Sequence, residues 1–114
     1  MGMTVREALA RGDFEQVAEA LHPEVVWIGV SPGQLCRNRD EVLTTFREAL
    51  AAGARVRPEI LDEVEGMLVV DPHVEPPPEL NPQLHQVFVV RDDRIVELRD
   101  YPDRASALEA VRGG

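Results

Sequence analysis

The sequence holds one cysteine, Cys36, in 114 residues, which excludes an internal disulfide and any thiolate-rich metal site. No apolar run approaches the roughly 20 residues that a membrane span requires. The opening residues, MGMTVREALARGD, lack the basic, apolar and small-residue succession of a signal peptide, so a cytoplasmic location and no membrane partner are expected. Positive charge is the minority sign: 12 Lys and Arg against 21 Asp and Glu give a formal net charge of −9. Phosphate recognition needs a basic surface, so nucleic acid is not an expected partner. The acidic balance favours solubility and does not specify a fold. Aromatic residues are 4% of the chain, with a single tryptophan, Trp27. The histidines, His22, His73 and His85, show no HxH or HxxxH spacing, so neither a metal site nor another cofactor is expected.

What is present fits one domain over residues 1–114. The apolar fraction, 44%, is that of an ordinary globular core, and the length supports one core but not two. Thr4 and Glu7 have capping-box spacing ahead of a first helix whose stripe is Val5, Ala8 and Leu9, and Gly12 suits its left-handed end. Asp13 and Gln16 restart a helix with Phe14, Val17, Ala18 and Leu21 on one face, and His22-Pro23 is expected to stop it. Glu24–Val30 reads as a strand and Ser31-Pro32-Gly33 as a loop. Asn38 and Glu41 open a third helix from about Arg39 to Ala52, with Val42, Leu43, Phe46, Ala49 and Leu50 at spacings of three and four. Strands over Arg55–Val64 and Met67–Val74 turn near Glu65-Gly66. Pro76, Pro77, Pro78 and Pro82 make 75–83 a loop, which reads equally as a lid, a solvated connection or part of a subunit contact. Asp103 caps a last helix to about Arg112. No strand–helix–strand repeat occurs, so the expected class is α+β, with helices segregated from an antiparallel sheet.

The most informative stretch is Leu84–Tyr101, LHQVFVVRDDRIVELRDY, two strands joined by Asp92-Asp93. Asp tolerates positive φ, which favours a mirror-type hairpin turn. With Arg91 opposite Arg94, uninterrupted pairing sets His85 against Asp100. One face then carries His85, Val87, Val89, Val96, Leu98 and Asp100, and the other Gln86, Phe88, Val90, Ile95, Glu97, Arg99 and Tyr101. A histidine opposite an aspartate on an apolar face has two readings: a cross-strand structural pair, or the polar floor of a pocket in which Asp100 orients His85 as a general base. The second face is too apolar for open water and polar enough for an interface.

Three stretches together resemble a known family: ALARGDFEQVAEALHPEVVWIGV, CRNRDEVLTTFREAL and LHQVFVVRDDRIVELRDYPDRASALEA. They are similar to the SnoaL-like branch of the nuclear-transport-factor-two-like superfamily over nearly the whole chain. Two departures stand out: Asp93 where the family more usually has glycine in the turn, and Asn38 where glycine commonly follows the arginine. The resemblance implies a cone, a curved antiparallel sheet wrapped around the N-terminal helices with a pocket between them, and a homodimer through the convex sheet face. Members include polyketide cyclases, ketosteroid isomerases, epoxide hydrolases and dehydratases, so the fold does not specify the reaction.

The resulting expectation is a small-molecule pocket protein whose ligand is apolar and oxygen-bearing. Cofactor-free proton transfer of the isomerase, cyclase or hydrolase kind would use His85 as base and Asp100 as its partner. Trp27, Val87 and Leu98 would line the pocket. Arg37 would either reach a ligand anion or pair with a local acid such as Asp40. Trp27 also reads as plain core, its indole N–H seeking His85, Asp100 or a ligand oxygen. The alternative function is a non-catalytic ligand-binding or dimeric interaction protein of the same fold.

Overall fold

The computed structural model describes residues 4–31 and 33–113. The expectations placed on Met1–Met3, Pro32 and Gly114 lie outside the described residues. Ten elements follow in the order α1 (Val5–Arg11), α2 (Phe14–Ala20), β1 (Leu21–Ile28), β2 (Leu35–Cys36), α3 (Arg39–Ala51), β3 (Glu59–Val64), β4 (Met67–Asp71), β5 (His85–Arg91), β6 (Arg94–Tyr101) and α4 (Arg104–Arg112). The class is α+β.

Local signals set the helix ends. Thr4, Asp13, Asn38 and Asp103 each accept, through the side chain, an amide proton from the residue three positions on, satisfying a first-turn donor that has no partner within the helix. Gly12 ends α1 at φ 65°. Helix α2 stops one residue before expectation because Leu21 is already extended, at φ −66° and ψ 127°, and pairs with Ile95. His22-Pro23 therefore lies inside the strand, at an irregularity between Leu21 and Val26, where proline has no amide to give to a ladder.

The six strands form one sheet in the order β2-β1-β6-β5-β4-β3. All neighbours are antiparallel except β1 and β6, which run parallel. That pairing makes the sheet mixed, where a wholly antiparallel one was expected. Strands β3 and β4 are shorter than the expected Arg55–Val64 and Met67–Val74. Beyond Glu59 and Asp71 the ladder survives only as an Arg57-to-Pro72 hydrogen bond and an Arg55–Glu75 bridge. Pro58 and Pro72 lack the amides that would continue it.

The hairpin turn is of the expected mirror type, with Asp92 and Asp93 at φ 51° and 56°, and Asp93 Oδ1 also accepts from the Val5 amide at 3.1 Å. The register beyond it differs from expectation. Val90 pairs with Ile95 but Val89 pairs with Glu97, leaving Val96 as an extra residue in β6. The bulge puts His85 opposite Tyr101 and Gln86 opposite Asp100, so His85 and Asp100 occupy opposite faces of the sheet and the expected pair does not form. The reason is burial. Ile95 and Leu98, three positions apart, both lie fully within the main core, and each contributes about 1.5–3 kcal/mol by leaving water. Strict alternation would expose one of them and turn Glu97 and Arg99 toward that core.

Two cores result. Leu9, Val17, Leu21, Val25, Val42, Leu68, Val70, Phe88, Ile95 and Leu98 join α1, α2 and α3 to one face. Val69, Val87, Ala107 and Val111 join α4 to the other. Val87 thus packs under α4, and Leu98 is sealed within the main core; neither has the place at a pocket expected of it. Leu98→Ala is expected to cost about 2–5 kcal/mol, read as a lower denaturation midpoint, while Leu35→Ala, at a side chain 43% exposed, costs under about 1 kcal/mol.

Candidate functional site

The site lies on the helix-covered face, where β1, β5 and β6 bring three side chains together. Trp27 and Leu98 are register partners across the parallel β1–β6 pair, so Trp27 shares the face of Leu98 and Asp100. Its indole Nε1–H donates to Asp100 Oδ1 at 2.8 Å. Gln86, opposite Asp100 across the hairpin, donates from Nε2 to the same oxygen at 3.0 Å. Among the described residues no donor reaches Asp100 Oδ2. The Asp100 pKa is raised: burial disfavours the carboxylate, and this outweighs the hydrogen bonds from Gln86 and Trp27, which favour it.

Two cavities flank this cluster. An apolar one of about 200 Å³ lies between α1, α2, α3 and the sheet, lined by Phe14, Val17, Phe46, Val70 and Phe88, with Gln86 its polar wall. A second, of about 270 Å³, is lined by Trp27, Gln34, Cys36, Thr45 and Asp100. Phe46 stands between them, its ring 4.8 Å from Trp27 and 5.9 Å from Phe14 between centroids. The apolar cavity can hold a hydrocarbon body, and the second places a desolvated carboxylate beside it. Cys36, in β2 rather than a loop, lies 3.5 Å from Thr45 Oγ1. Because that hydroxyl donates to the Glu41 carbonyl at 2.9 Å, the thiol is the donor in this contact.

The structure brings together Trp27 and Asp100 from the expected set. It removes His85, which lies on the α4 face with Nδ1 bonded to the Gln83 carbonyl at 2.7 Å. Arg37 is exposed, and its backbone amide donates to Glu41 Oε1 at 2.9 Å. Its side chain lines neither cavity. Gln86, Phe46 and Phe14 were missed. The available signal was Gln86 itself, an uncharged polar residue inside the apolar run of a strand.

Fold and site together define a small α+β protein of the NTF2-like (nuclear-transport-factor-two-like) cone fold. The chain belongs to the SnoaL-like domain family, whose model matches residues 4–98. Among solved structures, a candidate polyketide cyclase from Sinorhizobium meliloti matches with a TM-score of 0.62 and 22% identity, over 85% of this chain and 89% of that one. An NTF2-like protein of unknown function from Cytophaga hutchinsonii matches with a TM-score of 0.63 and 14% identity, over 85% and 91%. TerC, co-crystallised with polyporic acid, matches with a TM-score of 0.56 and 14% identity, over 94% and 91%. At these identities the likeness is one of fold. No curated protein matches the chain in sequence. Among the described residues no helix is long and apolar enough to cross a membrane.

The raised Asp100 pKa gives a signed prediction. A carboxyl that holds its proton more tightly folded than unfolded loses stability as pH rises from its unfolded value, about 4, through its folded value. Asp100→Asn keeps an oxygen acceptor for Trp27 and Gln86 without the charge. The variant is expected to melt at or above the wild-type temperature at pH 7, with the difference closing below about pH 4. A variant destabilised at pH 7 and unchanged in acid contradicts the reading.

Proposed function

We propose that the protein binds a small, largely apolar organic molecule carrying an oxygen function, and that Asp100 moves a proton on it. The observation that carries this reading is a desolvated carboxylate held through one oxygen by two donors, its other oxygen unpaired among the described residues, at the wall of a cavity. Desolvation brings a carboxylate nearer the basicity that proton abstraction from carbon requires. In the step, Asp100 Oδ2 takes a proton from a carbon beside a carbonyl. The C–H electron pair passes into the enolate, and the carboxylic acid returns the proton to the same or another carbon. Trp27 and Gln86 fix the carboxylate plane, and Phe14, Phe46 and Phe88 hold the apolar body. A carboxylate base needs no cofactor for this chemistry. The co-crystallisation of a neighbour of the same fold with polyporic acid supports an oxygenated organic ligand.

The second reading is binding without chemistry, favoured by the apolar lining of the aromatic cavity. One experiment separates the two. Ketones, sterols and aromatic acids are titrated into the protein while the fluorescence of Trp27 is followed, and bound ligands are then incubated in D2O. The expected result is saturable quenching together with deuterium uptake at an acidic C–H. Asp100→Asn slows that uptake at least about a hundredfold, within the range general-base catalysis contributes, while leaving the affinity within a few-fold. Uptake equally fast in Asp100→Asn removes Asp100 from the role, and binding without uptake leaves the second reading.

We also propose a homodimer through the sheet face that α4 leaves uncovered, where Val26, Ile28 and Val89 are half-buried beside Glu97 and Arg99. Phe88, Val90 and Ile95, expected at such an interface, point instead to the helix-covered core. Size-exclusion at micromolar concentration is expected to give twice the chain mass, and Ile28→Glu the chain mass. A monomeric wild type contradicts the interface.

A further inference from the structure

The α4 face carries a cluster of ligating groups that the cavities on the other face do not use. Glu59 pairs with Asp71 across β3 and β4, and Val70 pairs with Gln86 across β4 and β5. One step further along that ladder, Asp71 comes beside His85. Cross-strand neighbours point to the same side of a sheet, so Glu59, Asp71 and His85 form a row across three strands. His73, two residues past Asp71, is turned back at φ 45°, and its amide donates to Asp71 Oδ1 at 3.0 Å. Asp71 Oδ2 is left between two imidazoles, 3.5 Å from His73 Nε2 and 3.6 Å from His85 Nε2. His73 Nε2 also lies 2.8 Å from Glu59 Oε1.

The second observation is the orientation of His85. Its Nδ1 meets the Gln83 carbonyl at 2.7 Å, and a carbonyl only accepts, so Nδ1 donates there. That contact fixes the ring and aims Nε2 at Asp71 Oδ2 from a side chain only 9% exposed. Among the described residues no donor reaches that nitrogen within hydrogen-bond distance. Nε2 and Asp71 Oδ2 thus converge on one point, 3.6 Å apart, that a cation between them can occupy. A backbone carbonyl on the far ring nitrogen is also how metal-bound histidines are commonly oriented.

We propose that Glu59, Asp71, His73 and His85 form a binding site for a divalent transition-metal ion, with Zn²⁺ the best chemical match. Imidazole ligands favour Zn²⁺ and its neighbours over Mg²⁺ and Ca²⁺. Four donors at about 2.0–2.1 Å from a tetrahedral ion stand roughly 3.3–3.4 Å apart. The two separations at Asp71 Oδ2 need to close by about 0.1–0.3 Å, and the His73–Glu59 contact must open by about 0.5–0.6 Å. Glu59, Asp71 and His73 already have donor atoms within 4.8 Å of one another, and His85 joins them through its approach to Asp71. The site opens into a recess of about 430 Å³ beneath the proline-rich segment, lined also by Glu75 and Arg104. The Arg104 charge opposes a cation there, against the carboxylates of Glu59, Asp71 and Glu75. A bound ion would tie the ends of β3, β4 and β5 to the turn that begins that segment.

The test is calorimetric titration of chelator-treated protein with Zn²⁺ alone, paired with thermal melts. The expected result is one equivalent bound at micromolar or tighter affinity and a melting temperature raised by excess Zn²⁺ and restored by chelator. His73→Gln, outside both cores, is expected to weaken binding at least tenfold. His22→Gln, at a histidine remote from the row, leaves it within twofold, and a hundredfold excess of Mg²⁺ does not compete. Asp71→Asn, at the carboxylate between the two imidazoles, is expected to weaken binding at least as much as His73→Gln. Absence of saturable binding up to 100 μM Zn²⁺, or affinity unchanged in both His73→Gln and Asp71→Asn, overturns the proposal.

Discussion

One extra residue in β6 decides which side chains meet. With Val96 bulged out of the ladder, Ile95 and Leu98 are both fully buried in the same core, and every residue from Glu97 onward shifts by one against β5. The shift is held by burial on one side and by charge on the other, since reversing it would expose a large aliphatic side chain and drive Glu97 and Arg99 inward. The candidate site inherits that choice. Asp100 turns toward Trp27 and Gln86, and His85 turns away toward Asp71.

The sheet therefore serves as a partition. Its helix-covered face holds an uncharged amide, an indole and a single desolvated carboxylate against aromatic walls. The other face, at the end left open by α4, holds two imidazoles and two carboxylates. The period of two along each strand separates these chemistries with no added structure. Asp71 and His85 belong to one set while Val70 and Gln86, adjacent in sequence, belong to the other.

Asp100 is costly to the fold. Burial opposes its charge, and the two hydrogen bonds on Oδ1 offset only part of that. A core built for stability alone would carry an amide or an apolar residue there. Groups left strained or desolvated in this way cluster at sites of binding and catalysis, which is the physical reason for proposing function at this carboxylate.

Much of the fold was legible because its signals are local. Thr4, Asp13, Asn38 and Asp103 mark helix starts through hydrogen bonds that span three residues, and Asp92-Asp93 marks its turn through backbone preference alone. The family resemblance spans the same stretches. The site was half legible: Trp27 and Asp100 were singled out, while His85 was assigned the partner that an unbroken ladder would give it. A bulge leaves no mark in the alternation of a strand whose apolar residues, Ile95, Val96 and Leu98, fit either register. The parallel pairing of β1 with β6, the place of Gln86 and the row Glu59–Asp71–His85 join segments far apart in the chain. Composition and periodicity determined most of the elements, the helix starts and the class of fold. Which face each side chain took was decided only when the strands packed, because it depends on the total surface buried by both cores at once.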